Sequence, residues 1–119
     1  NVAPVSYISG SNTQLSFPFG FAIYASNNLV VANNTGASIT GYAAGASGNV
    51  APTWEIAGSA TGLARPGGVA LDSAGDMFVT DNTAPAVFKF AAGSNGNVAP
   101  TSTIHGGKTM LVDPFGPVL

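Results

Sequence analysis

The stretch Gly-Asn-Val-Ala-Pro-Thr occupies residues 48–53 and returns letter for letter at residues 96–101, and the chain opens on the related NVAPV at residues 1–5. Aligning residues 1–48 with 49–96 needs no gap, and 19 of the 48 positions are identical. Residues 97–119 begin a third copy in the same register. A repeat of about 40 to 50 residues indicates stacked copies of one supersecondary unit.

The periodicity inside the unit predicts strands rather than helices. No stretch of ten residues has the apolar spacing of a helix, whereas short β-rich runs alternate with turns of Asn, Gly and Pro. Ser26-Asn27 and Ala74-Gly75 are short polar links of the hairpin kind. The predicted strands are 20–24, 28–32, 38–42 and 53–57 in the first unit, then 68–72, 76–80, 86–90 and 101–105 in the second.

Four short strands per 48 residues is the strand count of one β-propeller blade. The sequence therefore predicts an all-β fold of four-stranded antiparallel blades, forming an incomplete ring in one chain. The GNVAP segments join the third strand of a blade to its fourth. The predicted divisions are an outer strand and linker of a preceding blade (1–19), two blades (20–67 and 68–115) and the first strand of a further blade (116–119).

About two and a half blades cannot close a ring, because known propellers have at least about four. The chain is then a segment of a longer propeller, a subunit that assembles with others, or a unit whose half-blade packs differently from its parent. In each case an apolar blade face and an unpaired strand edge are exposed, and these predict self-association.

Residues 65–81, RPGGVALDSAGDMFVTD, closely resemble the core of an NHL repeat. Residues 18–33 follow the same frame, and Asp113-Pro114-Phe115-Gly116 begins it a third time. The resemblance implies a β-propeller of several blades, in a family that includes binding platforms and a few lyases and hydrolases. The Arg that often opens the third strand is Ser38 in unit one and Ala86 in unit two, and the Asp that closes the first strand is present only as Asp72.

Charged residues make up only 7% of the chain, where an ordinary soluble domain has about 25%. The net charge is −2 and the three basic residues do not cluster, which argues against nucleic acid and anionic membranes as partners. No apolar run approaches the roughly 18 residues of a membrane-spanning helix, so membrane insertion is not expected. Surface polarity supplied by Asn, Ser and Thr is typical of a secreted or cell-surface protein.

The candidate ligand contacts lie in loops that follow the second strand or precede the first, because loops at one rim of a propeller surround its axial opening. Arg65 is the best candidate for gripping an anion or glycan hydroxyls. The alternative for the other four is that they cap turns. These four candidates are Asp81, Asn82, Asn33 and Asn34.

No catalytic constellation is evident. His105 is the only histidine, no GxSxG elbow is present, and Asp72 with Asp76 is the arrangement that holds a hairpin turn rather than a calcium ion. We therefore expect no enzyme, no metal and no cofactor, and predict a binding or scaffold module whose partner is a protein or a glycan. The alternatives are a fragment of an NHL-like lyase or hydrolase and a self-assembling structural repeat protein.

Overall fold

The structure is a computed structural model that describes residues 1–83, 85–112 and 114–115. It is all-β, with two four-stranded antiparallel sheets and three short 3-10 helical turns. Neither sheet closes on itself. The first sheet has β1 (Pro18–Tyr24), β2 (Asn28–Asn33), β3 (Ser38–Tyr42) and β4 (Trp54–Ala57); the second has β5 (Pro66–Leu71), β6 (Met77–Asp81), β7 (Ala86–Phe90) and β8 (Ser102–His105); the helical turns are Ser11–Thr13, Ser59–Thr61 and Gly107–Thr109.

The predicted all-β fold with four-stranded antiparallel units is confirmed, and each strand lies within a residue or two of its expected place. In both sheets the strands follow chain order, and a bulge interrupts the first pairing after the opening proline. The predicted strand at 116–119, and Asp113, lie outside the described residues. Within residues 1–19, the predicted outer strand and linker of a preceding blade, Ile8 forms one isolated parallel bridge with Gly48.

The turn between β1 and β2 and the turn between β5 and β6 are stabilised in different ways. Ser26 and Asn27 both have positive φ, 56° and 70°, as the right-handed twist of a two-residue turn requires. In the second sheet, the Asp72 carboxylate accepts the backbone N–H groups of Ala74 at 2.9 Å and Asp76 at 3.0 Å. The prediction that Asp72 holds a turn is therefore confirmed.

The sheets pack face to face around their first strands, with β5 against β1 and β2. The shared core takes Val30, Ala32, Ile39 and Ile56 from the first sheet and Val69, Met77, Val79 and Phe90 from the second. Gly20 allows the approach, because a Cβ there would lie 2.6 Å from the carbonyl oxygen of Gly67.

The other face of the first sheet has no covering sheet. Along β1, alternate residues point away from the second sheet, and Phe19, Phe21 and Ile23 are between 52% and 69% exposed. We call this surface, with Leu29 and Val31 of β2, the free face of the first sheet. On the opposite end of the stack, all four residues of β8 are exposed.

Substituting Gly20 with Val is expected to lower the free energy of unfolding by about 1–3 kcal/mol, because the added side chain meets backbone atoms of Gly67 and Gly68 that cannot rotate away. Urea unfolding followed by circular dichroism measures the change. Gly107→Ser is the control, since a Cβ at Gly107 meets no atom of the described residues within 4 Å. Equal stability of the two variants would contradict the close packing of β1 on β5.

Candidate functional site

Asp81 ends β6 and its side chain is turned into the protein, where it is 1% exposed. One carboxylate oxygen accepts the backbone N–H groups of Ala64 and Arg65, each at 2.8 Å, and the other accepts that of Thr83 at 3.1 Å. Bonds of this kind, from N–H groups to a carboxylate, are about twice as strong as neutral ones. Asp81 therefore ties the loop before β5 to the end of β6.

Asn33 occupies the equivalent place in the first unit and is fully buried. Its Oδ1 accepts the N–H of Ser16 at 3.1 Å, whereas its Nδ2 donates to the hydroxyls of Ser38 at 3.3 Å and Thr40 at 3.0 Å. The second unit has Ala86 and Phe88 at the places of those hydroxyls. An amide brings donors that need acceptors and a carboxylate brings none, so each unit has the partner set that its own side chain requires.

Asn34 and Asn82 follow directly in the two units. The side-chain amide of Asn34 donates to the carbonyl oxygen of Pro66 at 3.2 Å and so joins the first sheet to the second. Asn82 Oδ1 is buried and has no hydrogen-bond partner among the described residues. The ligand role of Asp81, Asn82, Asn33 and Asn34 stays a prediction, and every side-chain bond described for them goes to the chain itself.

Arg65 lies next to Asp81 but meets it only through its backbone. Its side chain is exposed, and within the described ranges its guanidinium forms no ion pair. An unpaired guanidinium presents a planar set of donors that suits carboxylate, sulfate or phosphate groups. Of the five candidates, Arg65 is the one whose charged group is turned to solvent.

The sequence prediction missed a contact made by the GNVAP loops. They do join β3 to β4 and β7 to β8 as expected, yet Gly48 and Gly96 also bond to the preceding unit. The N–H of Gly96 donates to Glu55 O at 2.7 Å and its carbonyl accepts from Ala57 N at 3.3 Å. Gly48 does the same with Tyr7 and Ser9, at 2.7 and 3.2 Å. The sequence signal for this contact is that the Gly-Asn pair, at 48–49 and 96–97, recurs together with the glycine that it contacts, Gly10 or Gly58.

A shallow apolar groove of about 420 Å³ lies over the free face of the first sheet. It is lined by Tyr7, Leu15, Phe19, Phe21 and Val31, among others. At its inner edge Phe19 stacks on Phe115 of the third copy, with ring centroids 5.2 Å apart. None of the described residues that line the groove is charged, so the groove suits an apolar surface rather than a polar metabolite.

Titratable groups are few, and those with shifted pKa values form contacts within the fold. The ammonium of Lys89 lies 2.8 Å from the Asp76 carboxylate, which lowers the pKa of Asp76 and raises the pKa of Lys89. Burial raises the pKa of Tyr42, whose hydroxyl donates to Thr13 O. Among residues 1–83, 85–112 and 114–115, no three His, Cys, Asp or Glu side chains converge as a metal site would require.

No helix in the described part of the chain has the length and apolar character needed to cross a membrane. No family model matches the chain, and no curated protein matches it either.

Replacing Asp81 with Asn should lower the free energy of unfolding by about 2–3 kcal/mol, because the amide loses a charge-assisted acceptor and adds donors that find no acceptor beside Ala86 and Phe88. Adding Ala86→Ser supplies the hydroxyl that Ser38 gives Asn33, and should restore part of the loss. Thermal and urea unfolding measure both variants. Full stability of the Asp81→Asn chain would contradict the role assigned to the carboxylate.

Proposed function

We propose that the chain is a segment of an NHL-type β-propeller that serves as a secreted or cell-surface binding and scaffold module. One observation carries the proposal. Val69 of β5 is 4% exposed because the first sheet covers it, whereas Phe21, 48 residues earlier, is 69% exposed on the free face. The free face thus presents a packing surface that the chain uses once already, between its own two sheets.

The arrangement of the sheets supports the propeller geometry. Both sheets have the same strand order and the same bulge after the first proline, and they stack in one direction, because the second sheet packs with the side that carries Val69 and Val79 and the first sheet with the opposite side, which carries Val30 and Ala32. The first strands make the close contact, as they do around a crowded axis. The stacking of Phe19 on Phe115 brings the first and third copies of the same position together at this inner edge.

A self-assembling repeat protein is the second candidate, favoured by the two uncovered ends of the stack. The free face of the first sheet lies at one end of the stack of two sheets, and the exposed strand β8 belongs to the sheet at the other end. Copies stacked head to tail would bring them together, as non-closing contacts between unlike surfaces do. For an NHL-like lyase or hydrolase, the lone His105 is exposed at the end of β8 and gives no support.

Light scattering over a range of concentrations tests the free face. We expect a mass above the 11.7 kDa of the chain at high concentration. Phe21→Ser should weaken association about tenfold or more, because an aromatic side chain contributes about 1.5–3 kcal/mol when it is fully buried. Val2→Ser is the matched control, since Val2 is exposed outside this face. A chain that stays monomeric at all concentrations would contradict the proposal that this face binds a partner of its own kind.

The predicted ligand contact of Arg65, in the loop before β5, is tested separately. Arg65→Ala is expected to change stability by no more than about 0.5 kcal/mol, because the side chain is exposed and unpaired in the described structure. The same variant should lose retention on an immobilised sulfated oligosaccharide, and Lys108→Ala is the control that removes a different exposed charge. Equal retention of both variants and the original chain would count against Arg65 as a ligand contact.

A further inference from the structure

A pocket of about 260 Å³ lies between the two sheets, at the end that carries the β1–β2 and β5–β6 turns. One wall comes from the first sheet, with Tyr24 at the end of β1 and Trp54 at the start of β4. The other wall comes from the second unit, with Leu71, Met77 and the loop that follows β7. Both walls thus belong to the two four-stranded units that pack on each other, and the pocket is distinct from the groove over the free face of the first sheet.

The first wall is an aromatic pair held in a fixed geometry. The indole Nε1–H of Trp54 donates to the Tyr24 hydroxyl at 3.0 Å, and the two rings meet edge to face with centroids 6.5 Å apart. Against the indole lies Gly41, the cross-strand partner of Trp54, where a Cβ would come within 2.1–2.5 Å of three ring atoms. The backbone of β3 therefore supports the indole, and both aromatic residues are half-buried at the pocket.

Three positions that build this wall differ together between the two units. The pairs of equivalent residues are Tyr24 and Asp72, Gly41 and Lys89, and Trp54 and Ser102. The facing loop also differs, because Ser94-Asn95 stands where the first unit has Ala46-Ser47. The second unit forms the same four-stranded sheet without the aromatic pair, so the repeat fold does not require it. The set is specific to the boundary between these two units.

Three polar groups of the pocket keep unused hydrogen-bonding capacity. The Tyr24 hydroxyl accepts from the indole, and its own proton has no acceptor among the described residues. Asn95 Oδ1 accepts the N–H of Glu55 at 3.3 Å, whereas its amide nitrogen, with two N–H donors, bonds to no described atom. Ser94 Oγ donates to Ala91 O at 2.6 Å and can still accept. The pocket thus offers donors and an acceptor beside an aromatic wall.

We propose that this pocket binds a neutral pyranose sugar. The C–H face of a pyranose carries a slight positive charge and packs on the electron-rich face of an aromatic ring, while its hydroxyls donate and accept hydrogen bonds. None of the described lining residues is charged, so an ionised ligand would lose its hydration without a counter-charge. A flat aromatic compound would leave the polar groups of Ser94 and Asn95 without partners.

The proposal rests on the binding role proposed above and gives that role a ligand class. It uses neither the free face of the first sheet nor Arg65, which precedes β5 and lies at the opposite end of the sheets. The outcome of its test is therefore separable from the light-scattering and Arg65 experiments.

Trp54 is the only tryptophan of the chain, so its fluorescence reports directly on the pocket. The full chain is titrated with the methyl glycosides of glucose, galactose and mannose, with sorbitol as an acyclic polyol, and with phenol as an aromatic probe. We expect at least one glycoside to shift the emission and to protect it from acrylamide quenching, with a Kd of about 1 mM. Sorbitol should bind about tenfold more weakly or less, because it has no ring face to stack.

Two variants that keep the tryptophan locate the ligand. Asn95→Ala and Tyr24→Phe should each weaken glycoside binding about tenfold, the equivalent of about 1.4 kcal/mol, because each removes a hydrogen-bond donor. Tyr7→Phe is the matched control, since Tyr7 is 65% exposed outside the pocket, and it must leave the affinity unchanged. Circular dichroism checks that each variant is folded, and Asn95→Ala, in an exposed loop, keeps the test valid if Tyr24→Phe does not fold.

Three results would overturn the proposal. The first is no response to any glycoside up to about 0.1 M, a hundred times the expected Kd. The second is an equal response to sorbitol, or a response to phenol alone, which would make the pocket a general apolar cavity. The third is an unchanged glycoside affinity in the Asn95→Ala chain. In each case, association in light scattering or retention through Arg65 would leave the proposed binding module standing without this site.

Discussion

Each sheet of this chain has an apolar face that its own strands cannot cover. A four-stranded antiparallel sheet pairs its backbone internally, but it becomes stable only when one face is packed against another layer. Here the layer is the next copy of the same sheet, and the eight buried core residues come equally from both copies. The close approach at Gly20 makes that layer possible, and the free face is the consequence of the same rule at the end of the stack.

The Gly-Asn loops add a second connection at the outer edge. An edge strand exposes N–H and C=O groups that invite pairing with other chains. Gly96 satisfies two of these groups on Glu55 and Ala57, and Asn97 satisfies a third on the following turn. Inner contact and outer contact together fix the angle and register between units, so the repeated GNVAPT is a structural link between units as well as a hairpin.

The strands could be predicted because β-rich runs between turn residues depend on local chemistry. The turn held by Asp72 could likewise be predicted, since it follows from the hydrogen-bonding needs of a single turn. The Gly-Asn contact was not, because it joins residues 37 positions apart and depends on how two units sit together. The sequence predicts Asp81 and Asn33 in loops, whereas each ends a strand and faces inward.

The repeat copies differ in ways that are internally consistent. Asn33 comes with Ser38 and Thr40, and Asp81 comes with Ala86 and Phe88, so a change of one buried group required a change in its partners. Charge follows the same division, because residues 1–54 contain no charged side chain and all nine Asp, Glu, Lys, Arg and His residues lie from Glu55 onward. The free face of the first sheet carries one half-buried carboxylate, that of Glu55, which lies opposite Thr40 on the same side as Phe21 and Val31, whereas the second sheet brings its Lys89 already paired with Asp76. This asymmetry favours contact between unlike ends of two copies over contact between like ends, because two second sheets facing each other would place two such ion pairs in one interface.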